Sequence, residues 1–64
     1  MPQTVKIVVW QEGESWIGYL VDYPDYWTQG DTEDDLREHL KDLHADLSGG
    51  KIPGVRKVVD LVVS

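Results

Sequence analysis

Pro24-Asp25-Tyr26-Trp27-Thr28-Gln29-Gly30-Asp31-Thr32 runs an aromatic segment straight into a helix start. Asp31 and Thr32 precede Glu33, Asp34 and Asp35, so a carboxylate or hydroxyl cap meets a first turn loaded with acid. Such a cap satisfies orphan backbone N–H groups, and the acids complement the helix dipole. A helix is therefore predicted from about Thr32. Ahead of it Thr4 to Trp10 and Ser15 to Val21 read as strands, with a short third from Tyr26 to Gln29; behind it Lys57 to Val63 reads as a fourth. The expected order is β-β-β-α-β, an α+β domain filling residues 1–64.

In the first strand Val5, Ile7 and Val9 alternate with Lys6, Val8 and Trp10, so one face is wholly apolar and the other largely so. Gln11-Glu12-Gly13-Glu14 is a polar loop whose Gly can take positive φ, a hairpin signal that makes the first two strands antiparallel neighbours. Gly18 packs nothing inside a strand; it marks a bulge or a close approach by the helix or a partner. Asp22-Tyr23-Pro24-Asp25 is turn chemistry, because Pro cannot donate to a ladder and Asp can bond its own backbone. The helix presents Leu36, Leu40, Leu43 and Leu47 at spacings of four, three and four, a stripe suited to one sheet face, and Ser48-Gly49-Gly50 stops it. In Lys57 to Val63, Asp60 puts Val59, Leu61 and Val63 on the buried side. A single helix linking strands gives a right-handed crossover, which places the fourth strand parallel to the first. The expected sheet is four-stranded and mixed, ordered 3-2-1-4, with one helix on one face. Its other face, rich in aromatics and valines, is left for a partner to cover.

Sixty-four residues bury only about 60% of their unfolded surface, so the core alone is marginal. With no Cys a disulfide framework and thiolate metal sites are excluded, which makes homo-oligomerisation the expected supplement. No basic segment precedes an apolar stretch near Met1, and no apolar run approaches the length of a membrane span, so a cytoplasmic, membrane-free chain is expected. A net charge of −6 repels phosphate backbones and suits a basic protein partner better than nucleic acid. Lys51, Arg56 and Lys57 form the only basic cluster, small enough to be ordinary solubilising surface.

Trp10, Trp16, Tyr19, Tyr23, Tyr26 and Trp27 all precede the helix. Each combines large apolar area with a polar edge, the combination favoured at interfaces. Tyr23 and Tyr26 flank the Pro24-Asp25 turn and are expected to be contact residues rather than core. Glu33, Asp34, Asp35, Glu38, Asp42 and Asp46 against Arg37 and Lys41 make the helix strongly negative, an electrostatic guide for a basic partner. The expected partner surface is Asp22, Tyr23, Asp25, Tyr26, Asp34, Asp35 and Glu38. Asp35, His39, Asp42 and Asp46 share a helical stripe, but neighbouring charges on an exposed helix arise freely, and neither metal nor cofactor is expected. No G-x-S-x-G, P-loop or Cys nucleophile occurs, and no Ser has a base at a telling spacing, so no catalytic residue is assigned and an enzyme is not expected.

From Trp16 to Leu47, with Gly18-Tyr19-Leu20, the Thr28-Gln29-Gly30-Asp31-Thr32 element and the leucine-striped acidic helix, the chain resembles the N-terminal domain of HicB-family antitoxins. The family's turn often reads Pro-Gly, where this chain has Pro24-Asp25 followed by Tyr26 and Trp27, so it resembles a short aromatic branch. The resemblance implies a partial ribonuclease H-like fold and a type II antitoxin that binds and blocks a HicA-like toxin, a small basic ribonuclease cleaving messenger RNA. Many members append a DNA-binding domain; none is expected between the helix and Ser64. The ribonuclease H likeness implies no catalysis here, because Thr4 to Trp10 offers no carboxylate to hold a metal. An orphan protein-binding module, or a small-molecule sensor using the aromatic turn as its pocket, are the other readings of such a domain.

Overall fold

The computed structural model describes residues 3–64. Three strands, β1 (Ile7–Glu12), β2 (Ser15–Leu20) and β3 (Tyr23–Gly30), form an antiparallel sheet in the order β1-β2-β3, and one helix, α1 (Glu33–Ser48), packs on it. The molecule is a small α+β domain. β1 and β2 pair from Ile7↔Leu20 to Glu12↔Ser15, so Gly13 and Glu14 alone make the turn. Gly13 takes φ 62° there, which a side chain would resist.

β3 begins at Tyr23 rather than at Tyr26, because the turn chemistry is absorbed within the strand. Tyr19 pairs with Trp27 and Leu20 with Tyr23, so Pro24, Asp25 and Tyr26 bulge out between two adjacent rungs. Pro24, which has no N–H to offer a ladder, sits in the bulge, where none is needed. The Trp27 indole N–H donates to the Pro24 carbonyl at 2.9 Å and ties the bulge closed.

Thr32 caps α1 with extended backbone, its hydroxyl accepting from the Asp35 N–H at 3.1 Å. Leu36, Leu40 and Leu47 are buried, Leu43 packs beside them, and together with Leu20 and Tyr23 they make the core. Both buried glycines record the closeness of this packing. A Cβ on Gly18 would stand 3.2 Å from a Leu36 methyl and 2.6 Å from the Val8 carbonyl oxygen, so Gly18 marks the helix approach, while the bulge lies beside it at Tyr19/Leu20. A Cβ on Gly30 would stand 2.6 Å from the Leu36 nitrogen, so the turn into α1 closes only with Gly there.

The expected fourth strand, Lys57 to Val63, is not formed. After Gly50 and Gly54, both at positive φ, Val55 packs on the core and the Lys57 ammonium lies over the Tyr23 ring, 5.8 Å from its centre. These contacts draw the chain to the β2–β3 turn, where the Val58 N–H donates to the Asp22 carbonyl at 2.6 Å. Beyond that bond the segment is exposed, Val62 at 92%. The sheet is therefore three-stranded and wholly antiparallel, and the outer edge of β1 carries no strand among the described residues. No helix among them is long and apolar enough to cross a membrane.

Candidate functional site

Strand alternation sorts the sheet into two faces. Ile7 and Val9 pack on the core with α1, and their partners Leu20 and Gly18 share that side. Val8 and Trp10 therefore point the other way, with their partners Tyr19 and Ile17 and, across β2, Trp27 opposite Tyr19. No element among the described residues covers this second face.

Three aromatic rings dominate it. Tyr19 and Trp27 stack with 13° between their planes and 5.8 Å between centres. Trp10 meets both edge-on, 5.1 Å from Trp27 and 6.1 Å from Tyr19. Such pairs contribute about 0.5–1.5 kcal/mol beyond area burial, so the cluster is held in one shape before anything binds. Trp27 remains 62% exposed, and its indole is fixed by the Pro24 bond. A large, preordered, solvent-facing aromatic with an apolar surround is the chemistry of a protein-binding hot spot.

The rest of the body is acidic. Residues 1–50 carry eleven Asp and Glu against three Lys and Arg. On α1 the Arg37 guanidinium pairs with Glu33 at 2.9 Å and the Lys41 ammonium with Glu38 at 3.4 Å. Both pairs are solvent-exposed and weakly stabilising, so they partly neutralise the helix without shaping it. Asp34, Asp35, Asp42 and Asp46 are exposed with no ion pair among the described residues.

The expected partner residues are not all brought together. Asp34, Asp35 and Glu38 lie exposed on the first turns of α1, whereas Asp22 and Asp25 lie exposed at the β2–β3 turn and its bulge, with most of β3 between the two groups. Tyr26 is half-buried against the core. Tyr23 is a correction: it is core, 3% exposed, because the turn spans only Val21-Asp22 and Tyr23 lands opposite the buried Leu20. Its ring is met edge-on by His44, 6.4 Å away. Trp10, Tyr19 and Trp27 lay within the aromatic group read from the sequence, yet only the pairing register gathers them on one open face.

His39, on the carboxylate stripe, donates its Nδ1–H to the Gln29 carbonyl at 2.6 Å, since a carbonyl can only accept. The imidazole thus ties α1 back to the end of β3. Among the described residues no three His, Asp or Glu side chains converge as a metal would require. A cleft of about 700 Å³ opens between α1 and the free edge of β1, floored by Val5, Ile7, Leu20 and Leu40. No family model, curated protein or solved structure matches the chain.

Proposed function

We propose that this domain is a protein-binding inhibitor, a HicB-like antitoxin that captures a small basic ribonuclease toxin and denies it RNA. The observation that carries this reading is the uncovered Trp10–Tyr19–Trp27 face on an acidic body. The likeness of Thr28 to Thr32 and the acidic helix to that family supplies the partner's identity. Opposite charge raises the encounter rate, and buried aromatics lengthen the life of the complex. Asp34, Asp35 and Glu38 act as the electrostatic guide, with Asp22 and Asp25 extending it at the other end of β3. Trp27 is the anchor, with Trp10 and Tyr19 packed against it, and Tyr26 lies in the bulge beside it. Tyr23 supports the site from the core. The protein works without metal, cofactor or catalysis of its own, in the cytoplasm where messenger RNA is the toxin's substrate. In the partial ribonuclease H-like fold a fourth strand would lie beside β1.

Co-expression with the neighbouring small basic reading frame tests this directly. Growth arrest by that neighbour alone, relieved by this protein with recovery of a complex, is expected. A harmless neighbour, or a toxin neither bound nor neutralised, overturns the antitoxin reading and leaves a binding module for a different protein.

A further inference from the structure

We propose that residues Val58 to Val63 of one copy dock as a fourth strand along β1 of a second copy, filling the cleft between that strand's edge and α1. This assembly does not depend on the toxin. Two features of one chain call for each other. The first is a free sheet edge with an apolar floor beside it, Val5, Ile7, Leu20 and Leu40, under a rim of mixed charge from Asp34, Arg37, Glu38 and Lys41. The second is a β-prone run, Val58-Val59-Asp60-Leu61-Val62-Val63, whose apolar members stand 49–92% exposed. Unpaired edges and unpaired strands are each liabilities in water, and pairing removes both.

The fit is specific in length, face and edge. Beyond the bond that holds Val58 to its own Asp22, Val59 to Val63 supply five residues against the six of β1. Alternation puts Val59, Leu61 and Val63 on one side, able to enter the cleft, and Asp60 on the other. The opposite edge of the sheet is unsuited, because Pro24 and the bulge interrupt the β3 ladder.

A second copy, rather than the same chain, supplies the strand. Val58 is bonded to Asp22 at the β2–β3 turn, so the chain beyond it would have to cross the ends of β2 and β1 to reach the free edge. Strands lie about 5 Å apart, so the crossing takes about 10 Å or more. Val59 to Ser64 span about 20 Å at full stretch, so too little remains to pair along all of β1. The segment instead projects: the radius of gyration is 13.0 Å, against about 11 Å for a compact chain of this length. Reciprocal exchange gives a closed two-fold dimer.

Sedimentation equilibrium of the full chain at micromolar concentration reads the outcome, with Leu61→Asp and Trp27→Ala as the informative variants. Leu61 is 82% exposed within one copy, so its substitution leaves the monomer fold intact, checked by circular dichroism. The wild type is expected at twice the chain mass, Leu61→Asp at once the chain mass, and Trp27→Ala at twice. With no natural Cys in the way, Val8→Cys in one copy and Val62→Cys in another are expected to cross-link between chains on mild oxidation. A monomeric wild type, or a dimer that survives Leu61→Asp and is lost in Trp27→Ala, overturns the proposal; the latter would place self-association on the aromatic face.

Discussion

At Gly30 the missing Cβ decides whether helix and sheet can meet. Its nearest neighbours would be the backbone of Asp35 and Leu36, which cannot swing aside as a side chain tip could. Gly30→Ala is therefore expected to cost about 1–3 kcal/mol, read as a shift of the urea midpoint at constant slope. Gly13 is a different case: nothing lies within 4 Å of its Cβ position, and any penalty comes from φ 62° alone. Tyr23 shows where single residues mislead. Beside Pro24 and Asp25 it has the setting of an exposed turn aromatic, and only the register Leu20↔Tyr23 brings it under the helix. The hydroxyl-bearing ring hid its burial, since Tyr occurs both inside and at surfaces. Trp27 inverts the case, being a large apolar residue at 62% exposure. Trp27→Ala is expected to lose about 1–2 kcal/mol of folding stability, from two ring pairs and a half-open site.

At the scale of elements, α1 was legible and the last segment was not. The four-three-four leucine spacing and the helix cap depend on residues close in sequence; the stripe appears as read, and of the two candidate caps the Thr32 hydroxyl, not the Asp31 carboxylate, takes the position. Leu40→Ala is expected to cost about 2–5 kcal/mol in chemical denaturation. Thr32→Ala is expected to cost about 1 kcal/mol with the sheet retained, because one cap hydrogen bond is lost and no cavity opens. The first hairpin was legible for the same reason, two adjacent strands joined by a Gly turn. The bounds of β3 were not, because a bulge lets a strand pass through Pro-Asp, which in isolation signals a turn. Lys57 to Val63 has strand composition, but a strand needs an edge within reach. The packing of Val55 on the core and the Lys57 ammonium over the Tyr23 ring direct it elsewhere. Local pattern gave its propensity, and tertiary geometry withheld its partner.

Among the described residues two surfaces stand open, the aromatic face and the β1 edge, on one acidic body. Composition alone raised the expectation that so short a chain takes help from another chain, a basic protein among them. Strand register, not composition, gathers Trp10, Tyr19 and Trp27 on one open face and leaves Asp22 and Asp25 at the opposite end of β3 from Asp34, Asp35 and Glu38. Asp34→Asn with Asp35→Asn is expected to slow toxin association roughly tenfold at low salt and to flatten its salt dependence, followed by stopped-flow fluorescence, while leaving dissociation nearly unchanged. The central claim, that the open aromatic face holds the partner, is tested most directly by the dissociation rate of the purified complex formed with wild-type protein and with Trp27→Ala, each shown folded by circular dichroism. The expected result is a loss of about 2 kcal/mol, roughly thirtyfold in Kd and carried mainly by faster dissociation. A folded Trp27→Ala variant that holds the toxin as long as the wild type does would contradict it.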